Sequence, residues 1–249
     1  MASGLDGNPN PLRSAARDRV LDEVADEVVR HRRGRDGGVL CVAVDGIDGA
    51  GKTTLADELA RVLRTRGVPV LRSTTDSFHH PREVRWAKGI LSPEGFYRYS
   101  HNLGALRARL LDPLTDRPPR PYRVAAFDEP SNSVVDAPLE VAPAGSVLLF
   151  DGLFLQRPEL RHYWHLSIWV DGERRVTEDR TRRAVASCPA GPWGLVSMAR
   201  WWAILGRYVG GLQLYIEACD PMGRADVVID NNDLLAPSST WRGGSFEVG

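Results

Sequence analysis

The sequence predicts an α/β fold, a sandwich of helices about a mostly parallel sheet. Short continuous apolar runs carry the first half of that prediction. VLCVAV from Val39, VPVLRS from Val68, SVLLF from Ser146, HLSIWV from His165 and DVVID from Asp226 read as strands buried on both faces, as parallel sheets require. Segments with helical apolar spacing separate these runs, and that alternation marks the class. The length of 249 residues, 43% of them hydrophobic, allows one large core.

The first eight to ten residues show no periodic pattern. From Ser14 to Arg33, Val20, Val24 and Val28 form a narrow apolar stripe on a charged helix, so residues 1–36 are expected to be an N-terminal tail and helix. Gly37-Gly38 ends that helix and the first strand follows. After a glycine-rich loop, Leu55, Leu59 and Val62 mark a helix that stops at Gly67. Ser92-Pro93-Glu94 is a cap followed by proline at a first helical turn, and Leu103, Leu106 and Leu110 give that same helix its buried side. DRPPRPY interrupts, and YRVAAFDEPSNSVVDAPLEV has the pattern of a hairpin about Asp-Glu-Pro-Ser-Asn. A charged helix is expected from about Gly172 to Ser187, and a long helical region around Trp193–Cys219 before the last strand. Residues 237–249 read as a flexible tail.

Lys+Arg and Asp+Glu both number 32, so no global field recruits nucleic acid or an anionic membrane. Cys41, Cys188 and Cys219 lie far apart and read as reduced packing residues. The N-terminus lacks the apolar run of a signal peptide, and WWAILGRYVGGLQLYI is broken by Arg207 and three glycines. The expectation is a soluble, cytoplasmic protein with no nucleic-acid or membrane partner, its oligomeric state left open.

One stretch carries chemistry. Gly46-Ile-Asp48-Gly49-Ala50-Gly51-Lys52-Thr53 satisfies Gly-x-x-x-x-Gly-Lys-Ser/Thr, and Thr54 continues the following helix. Lys52 is one of two lysines in a chain otherwise supplied with arginine. A compact ammonium fits along phosphate oxygens inside a tight loop where a guanidinium is too wide. Loop N–H groups would cradle the phosphates of ATP, Lys52 would bridge the β- and γ-oxygens, and Thr53 would ligate Mg²⁺. No guanine-reading Asn-Lys-x-Asp and no Leu-Ser-Gly-Gly-Gln accompany the loop, which argues against GTPases and transporter ATPases.

Two strand-end acids follow. Asp76 can accept the proton of an attacking hydroxyl or merely cap a turn; Asp151 suits Mg²⁺ but also turn chemistry with Gly152. The run ERRVTEDRTRRA is either a solvated, salt-bridged helix or a lid bringing guanidiniums, Arg180 and Arg182 among them, onto the transferring group. Of the adjacent His79 and His80, at most one faces substrate, and Lys88 either binds an anionic acceptor or is a solvated loop residue. Trp193, Trp201, Trp202 and Tyr208 fall at helical intervals that suit core packing.

DGIDGAGKTTLADELA, TTDSFHH, SPEGFY, LLDPL, PYR, LLFDGLF, RY and ADVVIDN, in that order from about Val39 to Asn232, resemble the uridine kinase-like family of P-loop kinases. The resemblance implies a doubly wound, three-layer P-loop NTPase fold over residues 37–236, with a β-hairpin over the acceptor site, a helical lid at about 172–192, and ATP–Mg²⁺. It implies phosphoryl transfer to a primary hydroxyl of a nucleoside or similar metabolite. By position, Asp76 matches the family's catalytic base, Tyr122 a base-contacting tyrosine, Arg182 a lid arginine and Arg180 another after a small shift; the RY pair brings Arg207 toward the acceptor. Asp151 stands where many members have Glu. Departures concern pyrimidine recognition: Glu94 is the nearest substitute for a ribose-binding Asp, Arg123 follows Tyr122 where those enzymes have Asp, and Phe127 falls near a His that reads the base. Alternatives are a kinase of nicotinamide riboside, pantothenate or a sugar phosphate, or a non-catalytic ATP-binding regulator.

Overall fold

A computed structural model describes residues 13–35, 37–116, 119–173, 175–180 and 198–242. One sheet has strands β1 (Leu40–Gly46), β2 (Val70–Thr74), β5 (Val147–Asp151), β6 (Leu166–Asp171), β7 (Val227–Asp230) and β8 (Ser238–Trp241) in the order β2-β5-β1-β6-β7-β8. The first five in that order are parallel, and β8 joins β7 antiparallel. β3 (Phe127–Asp128) and β4 (Ser133–Val134) form a separate hairpin, so the turn at Asp-Glu-Pro-Ser-Asn is where its residues predict.

The apolar runs fix the layers. Every residue of β1 is buried. Leu40, Val42 and Val44, with Val147, Leu149, Ile168 and Ile229, pack against α1 (Ala15–Arg33) and α2 (Lys52–Thr65). Their neighbours Cys41, Ala43, Leu148 and Phe150 face the other way, toward Leu106, Leu110, Leu111 and Leu114. Those leucines lie on α5 (Leu103–Leu106), a π turn over Arg107–Leu111, and α6 (Asp112–Thr115), not on the helix that Ser92 caps. A third cluster joins Phe96 and Tyr97 to Phe154, Trp169 and Tyr215. It locks α4 (Pro93–Tyr99), whose Ser92 cap accepts from the Gly95 N–H at 3.0 Å, against the 22-residue α8 (Met198–Cys219). The remaining helices are short: α3 (Arg82–Arg85), α7 (residues 175–180) and α9 (Pro221–Arg224).

Two further boundaries differ from the sequence expectation. Helix α1 is part of the core, because Arg17 buries its guanidinium beside Glu58 of α2 at 2.6 Å, both side chains 2% exposed. The expected tail from 237 begins with β8, which pairs Trp241 with Val227; Ser-Ser-Thr-Trp lacks an apolar period, yet β-branched and aromatic residues suit an edge strand. Among the described residues no helix is long and apolar enough to cross a membrane. Arg182, Cys188, Trp193 and most of the expected lid lie outside the described residues.

Candidate active site

The phosphate loop leaves β1 where the strand order reverses. β2 and β5 lie on one side of β1 and β6 on the other, so a crevice opens at the carboxyl ends of these strands. Gly46 (φ 150°), Gly49 (φ 74°) and Gly51 (φ 92°) take conformations that side chains disfavour, and a Cβ on Gly51 would come within 2.9 Å of Asn231 Nδ2. α2 starts at Lys52, so its first N–H groups converge on the loop. Lys52 Nζ donates to the Ile47 carbonyl at 2.8 Å, and Asp48 Oδ1 accepts from the Gly49 N–H at 3.1 Å. Asn231 Nδ2 donates to the Ala50 carbonyl at 2.6 Å, while its Oδ1 accepts from Arg17 Nη1 at 3.2 Å. The loop is thus braced from behind by α1 and the end of β7.

Beneath the loop, the Thr53 hydroxyl donates to Asp151 Oδ2 at 2.6 Å. Arg72 of β2 holds the other oxygen of Asp151 at 2.8 Å and also reaches Asp57 at 2.9 Å. Asp45 is 1% exposed and accepts from the Gly46 N–H (2.8 Å), the Leu155 N–H (2.9 Å) and the Tyr215 hydroxyl. Burial pushes its carboxyl up to about 6, against those donors and Lys52. Thr54 is exposed on the first turn of α2.

Asp76 lies on the 3-10 turn Thr75–Phe78 that follows β2. Its carboxyl is accessible from a cavity of about 1180 Å³ yet recessed enough that desolvation raises its proton affinity. His79 and Lys52 oppose that rise, whereas Asp151 and Asp48 add to it. The His79 ring donates from Nδ1 to the Asp76 carbonyl at 3.1 Å and lies 4.8 Å from the ring of His101. His101 is 5% exposed, and burial holds it neutral well below the usual imidazole range. His80 takes no part in this group.

Asp48, Asp76, His79, Phe127 and Arg207 therefore share one cavity. Two expected acceptor residues lie elsewhere. Tyr122 is 1% exposed, packed with Phe78 and Leu110, its hydroxyl donating to Glu140 Oε2 at 3.0 Å. Glu94 points outward on α4 and pairs with Arg98, one turn on, at 3.3 Å. Arg180 folds onto the end of β7, donating to the carbonyls of Asn231 (3.0 Å) and Asn232 (2.7 Å). Lys88 is exposed, outside the cavity wall. The structure adds three residues to that wall: Arg85, His101 and Tyr208. Tyr208, expected in the core, meets Phe96 edge-on at 4.7 Å and presents its remaining surface to the cavity. Arg85 was indistinguishable by sequence among some thirty arginines.

No family model and no curated protein sequence matches the chain. Solved structures do. A chain named as a possible uridine kinase from Bacillus stearothermophilus superimposes with a TM-score of 0.60 at 20% identity, covering 83% of this chain and 98% of its own. D-glycerate 3-kinase from Cryptococcus neoformans gives 0.63 at 15% identity, over 92% and 100% of the two chains. The fold is that of the uridine kinase-like P-loop kinases. A protein provisionally named as a fructose transport system kinase, from Silicibacter sp. TM1040, shares this P-loop kinase fold with a TM-score of 0.62 at 24% identity, over 80% and 94%. The loop residues fit a nucleotide, since Gly46, Gly49 and Gly51 hold the loop in positive-φ conformations beside the N-terminus of α2. A hydroxyl–carboxylate pair at Thr53 and Asp151 is the oxygen donor set a hard divalent cation takes.

Proposed function

We propose that the protein is an ATP-dependent small-molecule kinase that phosphorylates a hydroxyl of a nucleoside or similar metabolite. The observation that carries this reading is the joint placement of Asp76 and the phosphate loop. The carboxylate opens into a large cavity within electrostatic reach of Lys52, and Thr53 and Asp151 stand directly below. Asp76 accepts the acceptor's hydroxyl proton as the oxygen attacks the γ-phosphorus and the bond to the β–γ bridging oxygen breaks. Its raised proton affinity suits that role, because a weakly basic carboxylate at the ordinary value has less drive to take the proton. Lys52 stabilises the charge that accumulates on the phosphoryl oxygens, and leaves the Ile47 carbonyl to do so. Thr53 and Asp151 would hold Mg²⁺, which neutralises phosphate charge when bound. Arg180 and Arg182 are proposed as lid arginines; Arg180 must first release the carbonyls of Asn231 and Asn232.

The neighbours named for different acceptors show that this fold serves uridine, sugar and hydroxy-acid chemistry alike, so the acceptor is read from the cavity. Phe127 in the wall supports poor discrimination of uridine, since an apolar ring cannot answer a pyrimidine's polar edge. A non-catalytic ATP sensor has no use for the proton-accepting Asp76. ADP release by the full chain against uridine, cytidine, nicotinamide riboside, pantothenate, D-glycerate and sugar phosphates tests the reading. One or more acceptors should stimulate release well above the hydrolysis background. ATP binding without stimulation by any of them would leave the regulator reading in its place.

A further inference from the structure

Two guanidiniums in the cavity wall are buried and short of partners. Arg85, at the end of α3, has a side chain 9% exposed; its Nη1 holds Glu129 Oε1 at 2.7 Å, while Nε and Nη2 have no hydrogen-bond acceptor among the described residues. Arg207 on α8 is 7% exposed; its Nη1 donates to the Ile90 carbonyl at 3.0 Å, and its Nε has no acceptor. The faces of Phe96 (5.5 Å) and Tyr208 (5.9 Å) lie against it, but no carboxylate among the described residues pairs with it. A buried charged donor whose hydrogen bond is unmade carries its full desolvation cost uncompensated. Three such nitrogens on one wall therefore ask for acceptor atoms that the described residues do not supply.

Charge leads to the same place. Among the described residues Glu129 is the carboxylate bonded to the pair, so Arg207 has no ion-pair partner there. Asp48, Asp76, Asp128, Asp171, Glu217 and Asp220 also line the cavity, and none of them makes an ion pair with either arginine. Arg85 acts electrostatically on Arg207, and on His79 and His101 too, each of which is held down first by its own burial. Asp76 is the next neighbour of His79. The polar wall thus runs from Asp76 through His79 to Arg85 and Arg207, placing a proton acceptor at one end and two guanidiniums at the other. Guanidinium forks only donate, so the atoms they hold must be acceptors. A carboxylate or a phosphate ester offers adjacent acceptor oxygens with full negative charge, whereas a uracil edge separates its two neutral carbonyls by an N–H.

We infer that the acceptor is an anion: a hydroxylated metabolite whose carboxylate or phosphate ester docks on Arg85 and Arg207 while its hydroxyl lies at Asp76. This rests on the kinase reading above and names the substrate class for it. The test is calorimetric titration of the full chain saturated with ADP, which keeps the phosphate loop filled. Two matched sets serve as probes: glycerate, glycerol 3-phosphate and glycerol, and gluconate, glucose 6-phosphate and glucose. At least one anion should bind saturably, its neutral counterpart at least ~30-fold more weakly, and the carboxylate and phosphate arms say which head group the site takes. Arg207→Gln and Arg85→Gln should each weaken that anion roughly 10–100-fold with ADP affinity unchanged, and Arg207→Lys should recover part of the loss. Because Arg85 also ties down Glu129, Arg207→Gln decides the matter if Arg85→Gln fails to fold. Neutral members binding as tightly as the anions, no saturable anion binding, or indifference to both substitutions overturns the inference. The kinase reading is judged separately by ADP release: arginine-dependent anion binding without stimulated release keeps this site and discards that reading, and efficient turnover of uridine with no arginine-dependent anion binding does the reverse.

Discussion

Replacing Arg17 with methionine tests how the first helix is tied to the phosphate loop. In the native protein its guanidinium meets Glu58 through both Nε (2.7 Å) and Nη2 (2.6 Å), and its Nη1 bonds Asn231 Oδ1 and the Leu234 carbonyl at 3.2 and 3.1 Å. Methionine fills much of the same volume but removes the nearest counter-charge of the buried Glu58 carboxylate, leaving Arg61 at the longer distance of 3.9 Å. That loss costs about 3–5 kcal/mol. For a chain of this size each kcal/mol lowers the melting temperature by roughly 2–4 °C, so the midpoint should fall by about 6–20 °C. Arg17→Met with Glu58→Leu removes both charges and should return to within ~1 kcal/mol of the wild type. Urea and thermal unfolding followed by circular dichroism measure both proteins, and ADP titration shows whether Asn231 still braces the loop. A single variant within 1 kcal/mol of the wild type, or a double variant no better than the single, would refute the reasoning.

Further outcomes follow from the site. Lys52→Ala should abolish ATP turnover while unfolding as the wild type does, because the loop backbone and the helix terminus persist; a folded variant with wild-type rates would end the phosphate-loop assignment. Asp76→Asn should lower kcat roughly 10²–10⁴-fold with ATP affinity little changed. The wild type should also lose activity as pH falls through a value above the ordinary aspartate range, since the ionised base is required and burial raises its proton affinity; a limb at or below pH 4 would contradict this. Asp45 makes stability depend on pH in the opposite sense. Its folded-state value of about 6 exceeds the ordinary one near 4, so its contribution is fully present below about pH 4 and is lost as pH rises through 6. Relative to Asp45→Asn, the wild type should therefore weaken by about 3 kcal/mol between pH 4 and 7, at 1.4 kcal/mol per pH unit, and parallel pH profiles of the two proteins would exclude that role.

What could be read from the residues alone followed how local each feature is. The central strands were legible because β1 is apolar from Leu40 to Val44, and the loop because its chemistry is written in eight consecutive residues. The Ser92 cap and the hairpin turn are local in the same way. The docking of α1 was not, since it depends on one arginine finding a glutamate 41 positions away, and its valine stripe alone looks like the underside of a loosely attached helix. β8 owes its place to the free edge of β7 more than to any pattern of its own. In the site, Asp76 and Asp151 were marked by following strands, whereas Arg85 and His101 enter through the packing of α3 and α4 around the cavity, which no spacing rule records. Tyr122 shows the converse: its place in the motif order suggested contact with a ligand, and its ring is part of the packed layer below the sheet.

The hydrogen bond from Asn231 to Ala50 spans 181 positions of the chain. At a synthesis rate of 5–20 residues per second, roughly 10–35 s separate the making of the loop from the making of the residue that braces it. During that interval the glycine-rich segment has its motif but not its support, so a growing chain cannot hold nucleotide in the finished geometry however early its first strand forms. Long-range closure of this kind also makes folding slow relative to helical bundles of equal size. Nucleotide capture then reports completion: a polypeptide that retains ATP has already seated its last parallel strand.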